Sequence, residues 1–95
     1  MIEIPREALA QWAASKPTIG ALYVFGSYAA GTANAGSDLD LAFDFVGVDE
    51  SLAELIVNAL PWKAELTHLT GLVVKDLYLS TDPVAKGPRE LVLSR

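Results

Sequence analysis

The chain has 95 residues, a formal charge of −5 and a hydrophobic fraction of 52%, which suffices for one core but not two and predicts a single domain over residues 1–95. Its 7 Lys and Arg residues are scattered and form no basic arm, so direct nucleic-acid binding, which rests on cationic contacts to phosphate, is not expected. The lack of cysteine excludes disulfides and thiolate metal sites, and no apolar run approaches the roughly 20 residues of a membrane span.

The opening Met1-Ile2-Glu3-Ile4-Pro5-Arg6-Glu7 lacks the basic and then apolar pattern of a secretory leader, and a soluble, cytoplasmic protein is expected. Pro5 suits the first turn of a helix running to about Ser15, with Leu9, Trp12 and Ala13 on one face, and Lys16-Pro17 ends it. Ala21 to Phe25 reads as a buried strand. Gly26 to Ser37 is small and Gly-rich, a loop or a short helical turn. Asp38 to Val46 reads as a second strand with Leu39, Leu41, Phe43 and Phe45 on one face and Asp38, Asp40, Ala42 and Asp44 on the other. Asp49 suits a cap for a helix to about Leu60, which Pro61 interrupts, and Lys63 to Leu69 would add a turn or two ending at Gly71. Leu72 to Leu79 reads as a third strand, Asp82 to Pro88 as a loop with room for one helical turn, and Glu90 to Leu93 as a last short strand. The order predicts an α+β fold, a mixed β-sheet with helices packed on one face and the aspartates on the open face. The apolar fraction is high for so small a domain and points to a partner or to self-association, although Ala supplies part of it.

Two short elements carry the chemistry. Gly26-Ser27 closes one apolar run, and ten residues later Asp38-Leu39-Asp40-Leu41 opens another. Residues i and i+2 of a strand project to the same side, so Asp38 and Asp40 can share a divalent cation; oxygen ligands together with phosphate favour Mg2+. A third carboxylate is needed from another strand. Asp76, within the apolar Val73-Val74-Lys75-Asp76-Leu77-Tyr78-Leu79, is the best candidate, and Glu65 is the reserve. Gly26 would let the backbone approach a phosphate closely. The Ser27 hydroxyl and neighbouring N–H groups would donate to it, and Ser37 could orient Asp38 or donate as well.

Gly26-Ser27, the ten-residue spacing, Asp38-Leu39-Asp40-Leu41 and a later Asp76 together resemble the polymerase-β-like nucleotidyltransferase superfamily, and the chain length resembles its smallest branch, the minimal nucleotidyltransferases. The resemblance runs from Ala21 to Leu93. It implies a polymerase-β-like nucleotidyltransferase fold and transfer of a nucleoside monophosphate, AMP from ATP, with two Mg2+ ions. Asp38 and Asp40 would ligate both ions. Asp76 would ligate the catalytic one and help deprotonate the attacking hydroxyl, while Gly26 and Ser27 hold the β- and γ-phosphates. It also implies a small helical partner of the HEPN type, encoded nearby, to which the domain acts as an antitoxin by adding AMP to a tyrosine. The chain departs from the family pattern in two places: Tyr28, Ala29 and Ala30 stand where family members often carry Arg, and Lys75 stands where an apolar residue is usual. Lys75 could pair with Asp76, reach a phosphate or mark a shifted strand register.

Each feature also has a plainer reading. The Gly-Ser and Asp-x-Asp pairs alone would be a tight turn and a strand with an acidic solvent face. Asp44 reads as solvated, Glu50 and Glu54 as a solvated helix face, His68 as a surface or capping residue, Tyr28 as a packing residue, and Trp12 and Trp62 as core or interface anchors. As alternatives to transfer onto a protein, the domain would neutralise or scaffold a partner by direct binding with an impaired site. Transfer to a small molecule would need a second subunit to complete the acceptor pocket.

Overall fold

The alternation along the second strand decides which way the sheet faces. Leu39, Leu41 and Phe43 are 0%, 0% and 1% exposed, whereas Asp38, Asp40 and Asp44 on the opposite side are half-buried. The computed structural model describes residues 3–95; Met1 and Ile2, part of the stretch read for a leader, lie outside the described residues. The elements in chain order are α1 (Arg6–Ala14), β1 (Ile19–Phe25), α2 (Ser27–Ala30), β2 (Asp40–Phe45), α3 (Ser51–Thr70), β3 (Leu77–Leu79), a 3-10 turn (Pro83–Ala85) and β4 (Arg89–Ser94). The sheet order is β3-β2-β1-β4, with β1 antiparallel to both β2 and β4 and β2 parallel to β3. This is the expected α+β fold with a mixed sheet. Among the described residues no helix is long and apolar enough to cross a membrane.

Helices α1 and α3 cover one face. Leu9 and Ala13 of α1 and Leu55, Trp62 and Leu66 of α3 meet Leu22, Val24, Leu41 and Phe43 of the sheet in one buried cluster. An aromatic nest fills its centre. Trp62 stacks on Phe43 and Phe45 at 5.7 and 6.0 Å between ring centroids, and Trp12 meets Trp62 edge-on at 5.5 Å. Both tryptophans are thus core anchors, and burial of each large apolar side chain is worth about 1.5–3 kcal/mol. The opposite face is less open than expected. Phe25, Ala42 and Ala85 are buried there with Tyr23 and Tyr78 packed against them, so the 3-10 turn lays a small second core beside the aspartates.

Several boundaries differ from the sequence reading, each for a physical reason. Pro5 sits just ahead of α1 instead of in its first turn, and β1 starts earlier, at Ile19. Glu50, not Asp49, stands at the N-cap of α3. Pro61 does not interrupt α3, which runs through it from Ser51 to Thr70. Proline costs a helix interior about 3 kcal/mol, but Leu55 before it and Trp62 and Leu66 after it are buried in the same core, and their burial outweighs that penalty. Gly71, at φ 70°, ends the helix as expected. The third strand is only Leu77–Leu79, not Leu72 to Leu79. Upstream of it, Val73 is 54% exposed, Val74 is buried, and the Leu39 N–H donates to the Val73 carbonyl at 2.8 Å. The apolar run there anchors a loop to the sheet instead of pairing along its length.

Candidate active site

The corner after β1 is built around one carboxylate. Phe25, the last residue of β1, pairs with Asp40, the first of β2. Gly26 then takes φ 69° and ψ −148°, a backbone conformation that side-chain-bearing residues essentially never adopt. A Cβ on Gly26 would lie 2.3 Å from Oδ2 of Asp40. Glycine is therefore required twice over, by the backbone angle and by the carboxylate pressed against it. The chain next enters α2, where the Ala30 N–H donates to the Gly26 carbonyl at 2.9 Å, and Gly31 at φ 78° ends the turn. Ser27 is half-buried at its first position, where backbone N–H groups have no acceptor within the helix. Tyr28 packs against the main core. The corner thus joins Gly26, Ser27 and Asp40 in space, although they are far apart along the chain.

Asp38 and Asp40 are close enough to act on each other. The Asp40 carboxyl is raised above the ordinary carboxylate range, first by burial and then by the neighbouring charge of Asp38. Two like charges in a partly desolvated corner make a site that prefers a cation or a proton. Oδ2 of Asp38 also has Nζ of Lys75 at 3.6 Å, so Lys75 pairs across the loop with Asp38. Ser37 belongs to the turn ahead of Asp38. Its Oγ accepts from the Asn34 N–H at 3.0 Å and its own N–H donates to the Asn34 carbonyl at 3.0 Å, which leaves the hydroxyl proton free to donate elsewhere.

Asp76 is exposed and lies one residue ahead of β3. With Asp82, Leu77 and Tyr78 it lines a cavity of about 430 Å3 between β3 and the start of α3. Among the described residues no three His, Asp or Glu side chains come together closely enough to hold a metal ion. Four carboxylates do, however, act through their charge on one phenol. Burial raises the Tyr78 hydroxyl above its ordinary range, and Asp76, Asp40, Asp82 and Asp38 raise it further. Tyr78 stands opposite Ala42 in the parallel register and meets Phe25 edge-on at 5.4 Å. Tyr78 and Asp82 were not singled out from the sequence. The available signal was that Tyr78 is i+2 from Asp76, hence on the same side of the chain.

The remaining candidates have other duties. Glu65 accepts from Nε1 of Trp12 at 3.0 Å and Nζ of Lys16 at 2.8 Å, tying α3 to α1. Asp44 is not solvated: it accepts from the hydroxyls of Ser80 and Tyr23. Glu54 accepts from Thr18 Oγ1 at 2.8 Å, so it too is more than a solvated residue. His68 is exposed in the last turn of α3.

No curated protein sequence matches the chain. Among solved structures it is similar to a Sulfolobus solfataricus protein assigned as a nucleotidyltransferase, with a TM-score of 0.56 at 24% identity over 95% of this chain and 77% of that one, a likeness of fold. The family model described as polymerase beta, nucleotidyltransferase, matches residues 7–78. That span takes in the Gly-Ser corner, Asp38, Asp40 and Asp76, and the chain belongs to the polymerase beta nucleotidyltransferase family.

Proposed function

We propose that the protein transfers AMP from ATP to a hydroxyl of a partner protein and that it does so as the antitoxin of a small helical HEPN-type toxin in the cytoplasm. The observation that supports the reading is the tight approach of the Asp40 carboxylate to Gly26, with Asp38 acting on the same carboxylate. The donor set fits a hard cation: all oxygen and, at Asp40, partly desolvated. Asp38 and Asp40 would hold Mg2+, two ions when nucleotide is bound; Asp76, which is not gathered with them here, would have to approach them to serve as the third ligand. Bound there, the metal supplies charge stabilisation for the entering and leaving oxygens at the α-phosphorus. Ser27 and the N–H groups of its turn would donate to the β- and γ-phosphates, and Ser37 would add its hydroxyl. The acceptor oxygen bonds to the α-phosphorus, the bond to the β-phosphate oxygen breaks, pyrophosphate leaves, and Asp76 takes the hydroxyl proton.

One observation favours a second reading. Nζ of Lys75 lies 3.6 Å from Asp38, so a cation of the chain itself partly neutralises the pair. On that reading the site is impaired and the domain restrains its partner by contact. The test is incubation with Mg2+ and α-phosphate-labelled ATP in a lysate of the source cells, with an Asp38→Ala, Asp40→Ala protein alongside. A labelled protein seen only with the wild type supports transfer. Absence of label where a bound partner is recovered, with protection unaffected by the double substitution, refutes transfer and leaves the contact reading.

A further inference from the structure

The outer face of α3 is apolar where a surface helix is ordinarily polar. Leu52, Ile56, Val57 and Leu60 are 56%, 66%, 75% and 77% exposed. Leu52, Ile56 and Leu60 follow one another at i, i+4 and i+8 and so lie in one row, with Val57 beside it. Together they expose on the order of 400 Å2 of apolar surface, within the range of patches that mark interaction sites on small proteins. Leu55, Trp62 and Leu66 of the same helix are buried in the core, whereas Ile56, Val57 and Leu60 stay outside it and Leu52 borders the cavity beside β3.

The charges bounding this row are complementary to themselves. Asp49 and Glu50 stand exposed just ahead of α3, and Lys63, at i+7 from Ile56, lies past the other end of the row. None of the three takes part in an ion pair among the described residues. A twofold axis through Ile56, with two α3 helices antiparallel, sets Leu52 of one copy against Leu60 of the other. The same operation brings Lys63 of each copy to the acidic Asp49-Glu50 end of the other. An isologous contact of this kind satisfies both ends with one patch.

We infer that the exposed face of α3 is a homodimer interface in which a second copy of this chain packs antiparallel across Ile56, held in register by Lys63 against Asp49 and Glu50. A pairing of this size would bury roughly 1,000 Å2 in total, below the range of stable complexes and within that of weak ones, so the dimer is a weak one. Asp38 and Asp40 take no part in it.

Sedimentation equilibrium of the purified full chain over rising concentration tests this. A reversible monomer–dimer equilibrium is expected. Ile56→Asp and Leu60→Glu, both at exposed positions, should be monomeric throughout while their circular dichroism and unfolding stay like the wild type. Lys63→Glu and the paired Asp49→Lys, Glu50→Lys change should each weaken the dimer about tenfold, and an equimolar mixture of the two should regain wild-type affinity as a heterodimer. A wild type that stays monomeric at the highest concentration overturns the inference, even if a foreign protein is found bound to α3. So does a dimer indifferent to Ile56→Asp, or a charge-swapped mixture that fails to recover.

Discussion

Gly26→Ala probes the link between backbone and site most directly. The substitution meets two separate costs. At φ 69° and ψ −148° the backbone occupies a region that is essentially glycine-only, worth about 1–3 kcal/mol of strain for another residue. The new Cβ would also stand 2.3 Å from Oδ2 and 3.2 Å from the carboxyl carbon of Asp40, and such overpacking costs about 1–3 kcal/mol more. The sum, about 2–6 kcal/mol, is a large part of the total stability of a domain of this size. It corresponds to a fall in Tm of about 8–50 °C. Gly31→Ala is the matched control: φ is 78° there too, but nothing lies within 4 Å of the new Cβ, so only a left-handed backbone cost of about 1–2 kcal/mol applies. Urea unfolding followed by circular dichroism gives both values. Adding Asp40→Ala to Gly26→Ala closes a double-mutant cycle in which removal of the carboxylate relieves the clash, and a coupling of about 1–3 kcal/mol is expected. Equal losses in Gly26→Ala and Gly31→Ala, or an additive double mutant, would refute the contact.

Asp40→Asn should stabilise the metal-free protein at pH 7 by about 0.5–1 kcal/mol. Because the folded pKa of Asp40 is raised, its charged form weakens the fold above that pKa and the penalty disappears as pH falls below the unfolded value, so the advantage of Asn should be absent in acid; melting curves at the two pH values decide it. Addition of Mg2+ should raise the Tm of the wild type and not of Asp40→Asn, through selective binding to the folded state. Trp62→Ala removes a side chain 5% exposed that stacks on Phe43 and Phe45; the loss should be about 3–5 kcal/mol, read as the shift in the urea midpoint. Hydrogen bonds from Lys16 and then Trp12 hold the Glu65 carboxyl below its usual range. Its contribution is therefore present above the unfolded pKa of about 4.3 and lost as pH drops through the depressed folded value. Glu65→Gln should cost less than about 1 kcal/mol at pH 7, since the pair is exposed, and nothing in acid; an equal cost at both pH values would refute the assignment.

The parts legible in the sequence are those whose reasons are local. The period-2 alternation of Leu39, Leu41 and Phe43 against Asp38 and Asp40 needs no tertiary knowledge to read, and the buried face came out as expected. Gly26 and Gly71 announce turns by composition, and both carry positive φ. The parts that were not legible depend on partners far along the chain. Pro61 reads as a helix breaker until Leu55, Trp62 and Leu66 are seen to share one core. Val73 and Val74 read as strand because they are β-branched, yet the strand they would extend has Leu41, Ala42 and Phe43 as its only paired partners. Lys75 could be assigned to Asp38 only once the loop before β3 was seen to run past β2. The combined charge effect on Tyr78 of four aspartates from three segments has no counterpart in any single stretch of sequence.

Of those aspartates Asp40 bears most on function, because the fold gains nothing from its charge. A carboxylate kept for stability is ordinarily paired or hydrogen-bonded, as Glu65 and Glu90 are here, and both of those sit below their usual range. Asp40 goes the other way: it is partly buried, raised by its neighbour Asp38 and set against a glycine that tolerates no larger residue. A neutral side chain at position 40 would fold better, so the charge serves a requirement outside the folding of the chain. Perturbation of this kind marks functional sites more often than structural ones. An incoming cation would reverse the sign of that interaction, turning the repulsion between Asp38 and Asp40 into shared attraction, and the Gly26 corner fixes where the reversal takes place.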